Sequence, residues 1–221
     1  MEPCWIVSPF RNSQLSLKIF ALTRLDVVGI YPLTWCFQTI YHTVPASQRK
    51  PPTVTASIER YTTGADEKTS MILSFPSAPH GKHTAHGIAL TNFRVATDPD
   101  GHYTSGPAIR IQGTKGEIQV SGPAFRPTHY RFIPAGEDID SQRVRQGQNP
   151  EVKEYDCPIP GQGMFWEADE CARCVRDGKL ESEGMGWEES VVIMETIDEV
   201  RRQGGVKYPE KIETVDYPVS L

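Results

Sequence analysis

The 221-residue sequence predicts an α+β fold, a largely antiparallel open β-sheet with helices packed on one face. Three observations carry that expectation. Between Thr53 and Phe132 apolar residues recur at every second position in five or six short runs. Short turns, several containing glycine, join those runs. After Gly163 the apolar spacing changes to the three and four of a helix.

The first 24 residues, through Arg24, mix Pro, Ser, Trp and Phe without either period and read as an irregular segment foreign to the rest of the chain. A short helix is predicted from Pro32 to about Tyr41, because Pro suits the first helical position and Leu33, Phe37 and Ile40 recur at helical spacing. Val54, Ala56 and Ile58 then alternate with Thr55, Ser57 and Glu59, and Met71, Leu73 and Phe75 point one way from the next strand. In the third strand Ile88 and Leu90 lie on one parity and Phe93 and Val95 on the other, which predicts a bulge or break near Thr91 and Asn92. Ile109 and Ile111, the turn Gly113-Thr-Lys-Gly116, then Ile118 and Val120 form the clearest hairpin. Tyr130 and Phe132 mark a further strand, and Ala135 to Gly163 reads as a polar loop.

Two helices complete the pattern. Met164, Ala168, Cys171 and Val175 fall on one face of the first, which has acids early, arginines late and Gly178 as its stop. The second opens on Glu188 and Glu189, carries Ile193, Met194, Ile197 and Val200 as its apolar face, and stops at Gly204-Gly205.

The formal net charge is -5, and no basic run with interleaved aromatics appears, so a nucleic-acid partner is not expected. Residues 151–221 hold 17 acidic and 8 basic side chains, most of that acidity lying in the two late helices, where it reads as a solvated face. Five scattered cysteines suit a reducing compartment better than a disulfide scaffold. Val27 to Phe37, the most membrane-like run, is well short of the roughly 20 residues that span a bilayer. With no signal-peptide pattern at the start, the expected localisation is cytoplasmic, with no membrane partner.

Several candidate sites carry a bland reading that outweighs the chemical one. Cys171-Ala-Arg-Cys174 has CxxC spacing but lies within a predicted helix and lacks a second ligand pair, so the thiols read as structural and no metal is expected. His80, His83 and His86 read as a solvated loop and strand start. Gly161-Gln-Gly163 begins like a dinucleotide fingerprint, yet Trp166 stands at the third glycine position and no apolar strand leads into it. No cofactor-binding residue is therefore assigned. The remaining cluster is Asp26-Val-Val-Gly29-Ile-Tyr31-Pro32, an acid, a glycine and a tyrosine just before a helix. A tyrosine phenol accepts a proton from a sugar hydroxyl once a nearby cation lowers its pKa from about 10. A tyrosine that simply packs its ring at the helix entry explains these residues equally well.

Four motifs, in order, are similar to the Gfo/Idh/MocA oxidoreductases: Gly29-Ile-Tyr-Pro-Leu-Thr-Trp35, Gly113-Thr-Lys-Gly-Glu-Ile118, Gly163-Met-Phe-Trp-Glu-Ala-Asp169 and Asp177-Gly-Lys-Leu-Glu-Ser182. The resemblance continues through Glu188-Glu-Ser190 and Tyr208-Pro209, and is closest to the branch of dimeric dihydrodiol dehydrogenases and fungal NADP-dependent D-xylose 1-dehydrogenases. It implies a two-domain enzyme, an N-terminal Rossmann domain for NADP followed by an α+β domain that shapes the substrate pocket and often forms a dimer interface. Residues 25–221 resemble the second domain, so the Rossmann domain is expected to be missing. The resemblance further implies hydride transfer from the sugar anomeric carbon to the nicotinamide. The hydroxyl proton is handled by a Tyr or His of a D-x-G-x-Y/H motif together with a Lys of an E-K-P motif in the first domain.

Tyr31 matches that tyrosine and Asp26 the acid, although this sequence reads D-x-x-G-x-Y, one residue longer. The E-K-P lysine is absent. The expected function is oxidation of an aldose such as D-xylose to its lactone, or of a trans-dihydrodiol, by an enzyme of which this chain is a fragment. The expected partners are that small molecule and a second copy bound through the sheet face. The alternative is a non-catalytic dimerisation or sugar-binding module.

Overall fold

The computed structural model describes residues 25–76, 84–96, 99–100, 102, 104–135 and 151–216. The segment 1–24 and the residues His80 and His83 lie outside them. The chain divides into two compact units, one comprising residues up to Arg94 together with Trp187 onward, the other Val95–Gly186.

In the first unit a single helix, α1, runs through three stretches, Leu25–Gly29, Ile30–Cys36 and Phe37–Tyr41, of which the first and last have π-type hydrogen bonding. It is already helical at Leu25, the first described residue and seven residues before the Pro32 entry that the sequence suggests, and Pro32 lies in its interior. A proline there leaves the carbonyl four residues back without its N–H, a defect that a wide turn accommodates. The π turns also explain which residues are buried. Leu25, Gly29, Leu33, Phe37 and Tyr41 recur at steps of four. On a pure α-helix such a row would rotate by about 40° per step, and turns holding one residue more reverse that drift. Tyr41, not the expected Ile40, therefore faces the core at 3% exposure.

Strands β1 (Thr53–Arg60), β2 (Asp66–Phe75) and β3 (Ala85–Asn92) form an antiparallel sheet in that order. Register aligns Val54 with Leu73 and Gly87, Ala56 with Met71 and Ala89, and Ile58 with Thr69 and Thr91 on the inward face. Met71 and Leu73 are wholly buried, and Phe75 meets Phe37 edge-on at 5.4 Å. The predicted break in the third strand is real, since β3 ends at Asn92. Its buried parity is nonetheless that of Gly87, Ala89 and Thr91. Ile88 and Leu90 point outward at 70% and 63% exposure because the helices cover only the other face.

The second unit holds β4 (Ile109–Gly113), β5 (Gly116–Val120), β6 (His129–Pro134) and β7 (Lys153–Asp156), again antiparallel and in chain order. The strands thus fall into two sheets where the sequence suggested one. The predicted hairpin turn forms, with Gly113 opposite Gly116. Gly116 has φ +144°, and a β-carbon there would come within 2.4 Å of the Ile133 carbonyl oxygen. Strand β7 lies inside the stretch read as a polar loop. Its sequence, Lys-Glu-Tyr-Asp, has no apolar alternation, and it is held as an edge by pairing with β6 and by Tyr155 stacking on Tyr130 at 4.7 Å.

Helix α2 (Phe165–Arg176) forms as predicted, but none of its residues is buried, so its apolar stripe is not a core face within this unit. Back in the first unit, α3 (Trp187–Gly204) buries Val192, Ile193, Thr196, Ile197 and Val200, while the expected core residue Met194 is 45% exposed. A short turn, α4 (Glu210–Glu213), comes after it. The α+β class with antiparallel sheets is as the sequence predicted.

Candidate functional site

The first unit presents α1 as the carrier of the predicted site. Its buried row at 25, 29, 33, 37 and 41 turns residue 31 to the opposite side, and Tyr31 is 43% exposed. Asp26 lies in the first turn of the same helix. Its side chain lies outside the described residues.

What holds the Leu25 end of α1 is a strand residue. Asp66, 0% exposed at the head of β2, accepts a hydrogen bond from the Leu25 amide at 3.3 Å. A carboxylate at a helix N-terminus meets unpaired N–H groups and the positive end of the dipole. Thr69 and Thr91 face one another across β2 and β3 on the same side, both buried. Nothing in the sequence marks Asp66, because its partner is 41 residues away.

The other end of α1 is held by a buried carboxylate. Glu189, 2% exposed in the first turn of α3, takes a hydrogen bond from Gln38 Nε2 at 2.7 Å on one oxygen and from His42 Nδ1 at 2.8 Å on the other. Gln38 and His42 are four apart and so share a helix face. The carboxylate accepts only, which places the proton on Nδ1 of the imidazole. Glu189 is thus an exception to the reading of the late acidic residues as a solvated face. Burial, then the carboxylate of Glu188, raises the Tyr41 phenol pKa, against the Arg49 guanidinium, which lies 5.5 Å from the ring centre and lowers it.

The remaining sequence candidates do not converge. His86 is exposed on β3. Cys171 and Cys174 lie on α2 as free thiols, and no metal-binding cluster of His, Cys, Asp or Glu occurs among the described residues. Gly161 and Gly163 occupy the turn before α2. All five strand pairings among the described residues are antiparallel, so these residues do not build the parallel βαβ unit whose first turn cradles a dinucleotide. NADP does not fit the described residues. No described helix is long and apolar enough to cross a membrane.

No family model matches the chain. The D-xylose 1-dehydrogenase (NADP(+)) of Hypocrea jecorina is 51% identical over 198 residues, 86% of this chain and 46% of that enzyme. The chain is similar to a sugar dehydrogenase over most of its own length. Human trans-1,2-dihydrobenzene-1,2-diol dehydrogenase is 27% identical over 185 residues, 83% of this chain and 46% of that enzyme. The chain thus spans about half the length of the curated relatives it matches. Two solved bacterial candidate oxidoreductases, from Bacteroides fragilis and Bacillus subtilis, superpose with TM-scores of 0.46 and 0.48 at 13% and 11% identity, over 81% and 82% of this chain and 48% and 49% of theirs.

Proposed function

We propose that the chain is the substrate-side half of a cytoplasmic Gfo/Idh/MocA oxidoreductase that uses NADP to oxidise an aldose such as D-xylose, or a trans-dihydrodiol, with Tyr31 handling the hydroxyl proton. The observation that carries this reading is the 51% identity to a D-xylose 1-dehydrogenase. The outward placement of Tyr31 on α1 supports the role given to it, since a proton-handling phenol must reach the substrate. Asp26 joins it as the acid of the motif. The nucleotide site belongs to the part of the relatives that this chain does not match.

A titration with NADPH, followed by tryptophan quenching, tests the division of labour, and saturation-transfer NMR with D-xylose and with a trans-dihydrodiol tests the substrate side. The reading expects no saturable NADPH binding by these 221 residues, and saturable binding of one of the two small molecules. Micromolar NADPH binding would overturn the division. Binding of neither small molecule would overturn the substrate assignment.

A second reading, a module that pairs with a copy of itself, is favoured by one observation. The outward face of the first sheet exposes Ile72, Ile88 and Leu90 among threonines and serines, an apolar patch suited to association. Light scattering would return twice the chain mass, and Leu90→Asp would return the single mass.

A further inference from the structure

Strand β1 is one edge of its sheet, and an edge offers N–H and C=O groups to any extended chain that meets it. Here the centre of that edge is already occupied. The Ala56 amide donates to Gln203 Oε1 at 2.8 Å, and Gln203 Nε2 donates to the Val54 carbonyl at 2.9 Å. These two backbone groups flank Thr55. They are the pair that one residue of a parallel neighbouring strand would engage, donating to the carbonyl before Thr55 and accepting from the amide after it. The orientation of the Gln203 amide is fixed independently, because Nε2 also donates to Glu199 Oε1 at 2.7 Å. That carboxylate is held in turn by two bonds from Arg202 at 2.6 Å each.

The end of α3 is shaped to deliver this side chain. At the next residue, Gly204, a β-carbon would come within 2.4 Å of Ile58 Cδ1, so glycine lets the helix end close on β1. Arg60 Nη1 bonds the Gly205 carbonyl at 3.2 Å on the far side of the same contact. The start of β1 is blunted as well. Pro51 and Pro52 precede it and offer no amide for pairing. Prolines and a side chain seated on the ladder are two separate ways of closing an edge, applied to one strand.

We propose that the β1 edge is a strand-addition site which the chain occupies with its own Gln203, and that this plug keeps a second copy from pairing there. The proposal concerns the sheet edge and is independent of the face bearing Ile72, Ile88 and Leu90. Gln203→Met keeps the length of the side chain and removes both hydrogen bonds to β1; Gln203→Glu keeps the shape but turns an acceptor on the Val54 carbonyl and a second negative charge on the Glu199 carboxylate, which repel the side chain from the edge.

Amide hydrogen exchange and light scattering on the full chain test the plug. In the unmodified protein the Ala56 amide should exchange about tenfold more slowly than the amides of Val54 and Ile58, which share its edge. Gln203→Met and Gln203→Glu should both erase that difference. Gln203→Met, lacking a repelling charge, should raise the average mass above that of the unmodified chain as concentration increases, and a further Leu90→Asp change should leave that rise in place. Equal exchange at the three amides in the unmodified protein would overturn the plug. An unchanged mass in Gln203→Met, with Ala56 deprotected and its circular dichroism native, would overturn its role in keeping copies apart.

Discussion

Glu189 and His42 lie 147 positions apart, yet an oxygen of the buried carboxylate sits 2.8 Å from Nδ1 of the ring. The contact joins the first turn of α3 to the end of α1, so the carboxylate also sits at a helix N-terminus, which favours negative charge. His42→Ala leaves Glu189 buried with one donor fewer. It should cost about 1–2 kcal/mol, the penalty of losing a hydrogen bond to a buried charged group, reduced by the partial exposure of the ring. Glu189→Ala, which strands both Gln38 and His42, should cost at least as much. Urea unfolding monitored by tryptophan emission measures both.

Tyr31 points away from the core, so Tyr31→Phe should leave stability within about 0.5 kcal/mol of the parent. As the proposed proton-handling group it should still matter for the ligand. Loss of one hydroxyl contact of about 1 kcal/mol weakens D-xylose or dihydrodiol binding roughly fivefold. Paired thermal melts and saturation-transfer titrations separate the two effects, and a loss of stability without a loss of binding would assign Tyr31 to packing.

Burial pushes the Cys36 thiol up to about 11, whereas Cys157 and Cys171 are exposed. The thiolate is the reactive form, so at about pH 8 a disulfide-exchange reagent should modify Cys157 and Cys171 first, with Cys36 reacting only on unfolding. Mass spectrometry of partly labelled protein reads the order directly.

In the second unit the Arg110 guanidinium makes two bonds to Glu117, at 2.7 and 2.8 Å, and together with Gln119 and Gln112 holds that carboxyl at about 2, against 4.5 for an ordinary glutamate. A carboxyl lowered in the folded state contributes stability above its unfolded pKa and loses it as pH falls through the folded value. The contribution should therefore be complete above about pH 4.5 and fade towards pH 2. Glu117→Gln should flatten the pH dependence of unfolding within that window and leave it unchanged at neutral pH.

Some of this was legible in the residues themselves. Alternation at Met71, Leu73 and Phe75 gave β2 its inward face, and Gly113-Thr-Lys-Gly116 gave the β4–β5 hairpin, because both signals are local. The burial of Ala89 rather than Leu90 was not legible. A strand of small and large apolar residues has two acceptable faces, and only the helices packed on one side choose between them. Tyr31 could be singled out from its neighbours in the chain, but its exposure follows from the row at Leu25, Gly29, Leu33, Phe37 and Tyr41 being buried.

The sequence by itself determined the α+β class, the helix-stop glycines and the candidate tyrosine, since these rest on periodicity, turn chemistry and motif order within a few residues. Tertiary structure alone decided which polar groups meet. Asp66 under the Leu25 end of α1, Glu189 between Gln38 and His42, and Gln203 on the edge of β1 each join residues 41 to 151 positions apart. A buried or edge-bound polar group needs a partner of matching geometry. The path of the chain through space supplies that partner, and no local pattern announces it.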